Sequence, residues 1–140
     1  MPTARAEREL LAGPEDVWQF VAEPYHLSDW WPGIGGVEPD RRGLAPGARW
    51  RVFGSGRPTL LRRPEMSGTL VVLRVEPPTV VEWQFTGERL DVELRLDDVA
   101  GGRTLATLGI RGPWLVGLRR SLPRKALLRL HSLIQTVGEL

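Results

Sequence analysis

The last stretch of the chain, from Pro113 to Leu140, constrains the fold more than any other. Leu127, Leu130, Ile134 and Val137 recur at helical spacing, and Leu128 and Leu133 widen the stripe. Arg124, Lys125, Arg129, Ser132, Gln135 and Glu139 take most of the remaining surface. An amphipathic helix with so broad an apolar face needs a large partner surface. Pro123 lacks the backbone N–H that a helix interior uses, and it suits a first turn. The spacing therefore predicts a short helix from Trp114 to Arg120, a break at Ser121-Leu122, and the main helix from Pro123 to about Gly138. Almost everything before Pro113 alternates like strand. The partner surface is a sheet curved around this helix.

Taken in order, Thr3 to Leu11 reads as a first strand, an exposed one because of Arg5, Glu7, Arg8 and Glu9. Gly13-Pro14-Glu15-Asp16 supplies a turn, a proline at a helix start and two acids in the first turn. Val17, Trp18, Phe20 and Val21 give that short helix its buried face, and Glu23-Pro24 stops it. Tyr25 to Trp31 predicts a second short helix, closed by Pro32-Gly33. Gly33 to Glu38 and Ala48 to Phe53 follow as strands, and the stretch from Gly54 to Pro64 reads as a loop or frayed strand ends. Ser67 to Glu76 is a strong strand, with Val71, Leu73 and Val75 on its apolar face and Arg74 and Glu76 on the other. After the Pro77-Pro78 turn, Val81, Trp83 and Phe85 alternate with Glu82, Gln84 and Thr86. Leu90, Val92, Leu94 and Leu96 then alternate with Asp91, Glu93, Arg95 and Asp97, and Arg103 to Arg111 is the last strand. The order β-αα-ββββββ-α predicts an α+β domain over residues 1–140, its antiparallel sheet solvated on one side.

Composition removes several function classes. Without cysteine there is no disulfide framework, thiolate nucleophile or cysteine-based zinc site. No run approaches the roughly 18 apolar residues of a membrane span, and the start lacks the apolar core of a signal peptide, so the expected location is cytoplasmic. The net charge is +2, with eighteen arginines against one lysine, Lys125, and the acids are interspersed among them. No basic stripe marks a nucleic-acid surface. There is no Ser/His/Asp arrangement or phosphate-binding loop, and Gly33-Ile34-Gly35-Gly36 lacks the dinucleotide pattern. No metal or cofactor is implied.

Several segments resemble a known superfamily. These are "PEDVWQFVAEPYHLSDWWPGI", "PGARWRV", the strand–diproline–aromatic strand "VVLRVEPPTVVEWQF", and the Gly-Gly turn before the last strand. Together they resemble the START-like (SRPBCC) superfamily, and within it the bacterial branch of polyketide cyclase/dehydrase and lipid-transport-like proteins. The resemblance runs from Arg5 to Leu140. It departs at Gly101-Gly102-Arg103-Thr104, where many members carry Gly-Gly-Thr. It implies the helix-grip fold: a seven-stranded antiparallel curved sheet, two short helices after the first strand, and a long C-terminal helix, with a cavity between sheet and helix. By the same token it implies binding of a small hydrophobic or aromatic molecule, lipid-like or polyketide-like. The alternatives are a polyketide aromatase/cyclase acting in that cavity, or a protein-interaction domain similar to Hsp90 activators or ribosome-associated toxins. The last would use the basic cluster Arg119, Arg120, Arg124 and Lys125, which a solvated helix end explains as well. The expected oligomeric state is a monomer or weak homodimer.

On this reading the cavity lining comes from three places. Trp30 and Trp31 end the second short helix. Trp50, Val71, Leu73, Trp83, Phe85 and Leu94 come from strand faces. Leu127, Leu130, His131 and Ile134 come from the long helix. Gly109 and Gly117 would leave room. The large aromatics either line the cavity or fill the core. For proton chemistry the candidates are His131, Arg111 and Tyr25. His131 lies at the edge of the apolar stripe, where it either reaches the cavity or bonds backbone or water. Arg111 becomes an internal anion-binding cation only if Leu105, Thr107 and Gly109 face inward with it, and a buried unpaired cation is costly.

Overall fold

The computed structural model describes residues 3–54, 68–113 and 120–138. Its element order is strand β1 (Thr3–Leu10), helix α1 (Pro14–Ala22), a single tight turn at Pro24–His26, and helix α2 (Leu27–Trp30). Strands β2 (Ile34–Glu38), β3 (Arg49–Gly54), β4 (Gly68–Glu76), β5 (Val80–Phe85), β6 (Leu90–Val99) and β7 (Arg103–Arg111) follow, then helix α3 (Leu122–Gly138). The strands make one antiparallel sheet of order β1-β7-β6-β5-β4-β3-β2. Strands β2 to β7 form a meander, and β1 closes onto β7, from Thr3 opposite Arg111 to Leu10 opposite Thr104.

Small side chains decide where α3 lies. The inward positions of β1 include Ala4 and Ala6, which pack against the core without standing far off the sheet. The helix accordingly rests on β1 and β7 and touches α2. Leu122, Ala126, Leu127, Leu130 and Ile134 are buried along it, each large one contributing about 1.5–3 kcal/mol by leaving water. Leu128 does not belong to the stripe, being 49% exposed; Ala126 fills the inward position beside it. Most of the expected helix at Trp114 to Arg120, most of the Gly54 to Pro64 loop, and Gly117 lie outside the described residues.

The helical insertion is pinned locally. Pro14 opens α1, with Glu15 and Asp16 in its first turn, where backbone N–H groups and the helix dipole favour negative charge. Glu23 adopts an extended conformation and ends the helix before Pro24. The His26 ring then stacks on Phe20, ring centres 4.1 Å apart, and its Nδ1 hydrogen-bonds the Phe20 carbonyl at 2.7 Å. At the other end, buried Thr104 donates its hydroxyl to the Ala12 carbonyl at 2.7 Å, fixing the chain as it leaves β1.

Strand β4 corrects one expectation. Val72 stands opposite Trp83, but the next paired residue is Arg74, opposite Glu82. Leu73 is the extra residue of a β-bulge, which re-aims the side chains around it. Leu70 and Val72 are therefore buried, Val71 lies opposite Gln84 and Arg49 on the outer face, and Leu73 is 50% exposed. Only Val75, beyond the bulge, packs against the core as expected. Four consecutive apolar residues, Leu70 to Leu73, hide the parity of this strand from a period-two reading.

Candidate functional site

The site is built where α1 and α2 cover the inner face of β3 to β6. Trp30 and Trp31 close α2 and turn into the core, 2% and 0% exposed. Trp83 and Phe85, alternate residues of β5, rise from the sheet to meet them. The Trp30, Trp31 and Trp83 rings meet edge to face, with centres 5.6 to 6.2 Å apart, and Trp31 lies 5.4 Å from Phe85. Such pairs add about 0.5–1.5 kcal/mol each beyond the area they bury.

Beside this cluster is a cavity of about 20 Å³. Helix α1 and α2 contribute Val21, Leu27 and Trp30, and the sheet contributes Trp50, Leu70, Val72, Val81, Trp83 and Leu94. Leu44, from the β2–β3 connection, completes the lining and alone among these residues is half-buried rather than buried. Small-molecule pockets usually hold roughly 300–1,000 Å³, whereas this space suits about one water. The core is closed.

The three lining tryptophans differ in one respect. Trp50 donates its indole N–H to the Gly43 carbonyl at 2.8 Å, tying the β2–β3 connection to the sheet. Asp40 accepts the Arg42 and Arg49 backbone N–H groups, both at 2.9 Å. The Arg49 N–H, ahead of the Arg42 contacts, holds the Asp40 carboxyl below its ordinary value. Trp30 Nε1 and Trp83 Nε1 are buried without a hydrogen-bond partner among the described residues. A buried donor left so costs about 1–3 kcal/mol.

The residues expected to line the cavity therefore separate. Trp30, Trp50, Trp83 and Leu94 border it. Trp31 and Phe85 stand within the aromatic cluster. Leu127, Leu130 and Ile134 are buried under α3 without reaching this cavity, which lies on the α2 side of the core rather than against α3. Val71 and Leu73 point to the outer face, Val71 opposite Gln84 and Leu73 as the extra residue of the bulge. His131 is half-buried on the flank of α3 and does not border the cavity. Tyr25 is 60% exposed. Arg111 points outward and pairs with Asp91 at 3.3 Å, since Thr104, Ala106, Leu108 and Ile110 are the buried set of β7. Val21, Leu27, Leu44, Leu70, Val72 and Val81 were not anticipated as lining. For Leu70 and Val72 the missing signal is strand parity; for Leu44, in a connection, there was none.

A larger depression, about 610 Å³, lies on the opposite, solvated face of the sheet. Gly109 helps make it: no heavy atom lies within 4 Å of a Cβ placed there. The glycine thus leaves room outside the sheet, not inside, because it pairs with Arg5 and Glu93 on the outer face. The depression is bordered by charges that pair among themselves, Arg111 with Asp91 and Arg95 with Glu93 at 3.6 Å. Among the described residues no cluster of three or more His, Asp or Glu is placed to hold a metal ion, and no helix is long and apolar enough to cross a membrane.

A curved seven-stranded antiparallel sheet gripping a C-terminal helix, with short helices inserted after the first strand, is the START-like helix-grip fold. Within that superfamily the chain belongs to the polyketide cyclase / dehydrase and lipid transport family, which matches residues 1–131. Solved structures share the fold at low identity. The protein XoxI from Bacillus cereus superposes with a TM-score of 0.75 at 12% identity, covering 99% of each chain. The Aha1 dimer from Colwellia psychrerythraea gives 0.67 at 17% identity, covering 97% of this chain and 96% of that one. A norcoclaurine synthase point mutant from Thalictrum, in complex with a transition-state analogue, gives 0.68 at 14%, covering 98% and 96%. No curated protein matches the sequence.

Proposed function

We propose that the protein binds a small hydrophobic or aromatic molecule in the core between α2 and the sheet, beside Trp30 and Trp83. The observation that carries this reading is the small apolar cavity edged by three tryptophans, in a chain whose family includes lipid transport. A space of about 20 Å³ must widen to take a guest. Leu44 is the lining residue nearest solvent, so the β2–β3 connection is the side that yields. Binding is the first reading rather than catalysis, because His131, Arg111 and Tyr25 do not border the cavity.

Native mass spectrometry of the protein purified from its own host, followed by denaturing extraction, tests this directly. A stoichiometric apolar or aromatic molecule is the expected result. A thermal-shift screen complements it, since a ligand of the folded state raises stability. Leu44→Trp fills the yielding side and is expected to abolish uptake. Unchanged uptake in that variant would move the site elsewhere.

A further inference from the structure

Strand β1 ends the sheet, and its second edge has no backbone partner among the described residues. An open strand edge offers a row of N–H and C=O groups to any strand that can align with it. Many exposed edges are blunted by shortness, a bulge or a proline. Strand β2, at the other end of the sheet, follows that rule. It has five residues, and its register with β3 shifts between Ile34 and Gly36. Strand β1 instead runs eight residues in unbroken register with β7 and contains no proline. Helix α3 packs on it, yet Ala4, Ala6 and Arg8 stay half-buried on the inward face, and Thr3, Arg5, Glu7 and Glu9 are exposed on the outward one. What protects this edge is charge, and charge selects a partner by excluding the wrong alignments.

We propose that β1 pairs with β1 of a second copy of this chain, joining the two sheets edge to edge about a two-fold axis at Ala6. An axis relating antiparallel edges stands perpendicular to the sheet, so outward residues meet outward residues. With Ala6 opposite Ala6, Arg5 stands opposite Glu7 of the second copy, and Glu7 opposite Arg5 of the second copy. Arg5 and Glu7 already lie 3.2 Å apart within one strand. Pairing thus makes a square of four charges in which every adjacent pair is opposite in sign. A slip of two residues in one direction sets Glu7 against Glu7, and in the other sets Arg5 against Arg5. Like charges directly opposed are destabilising, so the strand specifies one register. On the inward face Arg8 meets Ala4 of the second copy, whose single methyl group leaves room for a long side chain. Glu9 keeps its ion pair with Arg103 at 2.7 Å. Contact along one strand falls below the roughly 1,600 Å² of a standard interface, so the dimer is weak and reversible.

Sedimentation equilibrium tests the pairing. The wild-type protein is expected to show a monomer–dimer equilibrium with Kd on the order of 0.1 mM. Arg5→Glu alone opposes acid to acid, and Glu7→Arg alone opposes cation to cation. Each is expected to weaken self-association about tenfold. The two single variants mixed together are expected to associate as wild type does, and the double variant Arg5→Glu/Glu7→Arg to restore the homodimer. A wild-type protein still monomeric at about 1 mM, or a dimer indifferent to both substitutions, overturns the proposal. Hydrogen exchange of the wild type reads the same contact even should a variant not fold. Raising the protein concentration is expected to add protection at the β1 amides between Thr3 and Glu9, and protection gathered elsewhere overturns the proposal.

Discussion

Glu82 and Glu93 stand directly opposite each other across β5 and β6, two carboxylates side by side on the outer face of the sheet. Arg74 lies 3.4 Å from Glu82, and Arg95 lies 3.6 Å from Glu93. Burial first, then the neighbouring Glu93, raises the Glu82 carboxyl above its ordinary 4.5. A carboxyl raised on folding favours the fold only while protonated, so its ionisation destabilises the protein as pH rises. Glu82→Gln is therefore expected to raise the urea midpoint at neutral pH, with a gain that shrinks to nothing below pH 4.5. The lost ion pair with Arg74 subtracts little at this exposure. Urea titrations of both proteins across this range check it; a gain that persists in acid would refute the assignment.

The bulge in β4 makes neighbouring leucines energetically unlike. Leu70 is 1% exposed and borders the cavity, so Leu70→Ala is expected to cost about 2–5 kcal/mol. Leu73→Thr is expected to stay within about 0.5 kcal/mol of wild type. Chemical denaturation of the pair reads the parity of the strand. Equal losses would place Leu73 in the core.

Two glycines near the end of β7 make a second contrast. A Cβ at Gly112 would sit 3.1 Å from the Arg89 carbonyl oxygen and 3.3 Å from the Leu90 side chain. Gly112→Ala is expected to destabilise by about 1–3 kcal/mol through overpacking against a backbone that cannot retreat. Gly109→Ala meets open space and is expected to stabilise by about 0.4–1 kcal/mol, through the unfolded chain. Thermal midpoints moving in opposite directions would establish both environments.

Asp40 is the knot of the β2–β3 connection. Asp40→Ala removes the acceptor for the Arg42 and Arg49 amides, and hydrogen exchange at those two amides is expected to quicken. Because the folded carboxyl is held below 3.8, its contribution is present above that value and is lost as pH falls through the lowered one. Exchange protection in wild type is thus expected to survive into acid below pH 3.8. Exchange rates alike in both proteins would mean the tether carries no load.

Much of this architecture is legible in the chain. The last strand spans Arg103 to Arg111 as its alternation requires, and α3 begins one residue before Pro123. Helical and strand periods are local, so residues a few positions apart reveal them. The bulge at Leu73 is invisible for the converse reason: apolar residues occupy both faces there, and only the partner strand decides which turns inward. Gly109 reads as room within the core until its neighbours Arg5 and Glu93 show which side it faces. The aromatic side chains Trp30, Trp31 and Trp83 declare themselves as interior. How tightly they close on one another is a property of three elements brought together, and the family resemblance does not supply it.

The pairing of β1 with β7 has a consequence for how the chain reaches this state. Its partners, such as Thr3 and Arg111, are separated by nearly the whole sequence, while every other strand pair joins neighbours in the meander. Contacts so remote require the largest loop closure and form slowly. The meander is therefore expected to assemble first, with β1 and the α3 surface that depends on it docking after the rate-limiting barrier. Ala6→Gly, on the inward face of β1, should then speed unfolding and leave the refolding rate nearly unchanged. Stopped-flow kinetics separate the two limbs. The strand that starts the sheet in sequence becomes the latch that holds it closed, and the lifetime of the folded state is set at that edge.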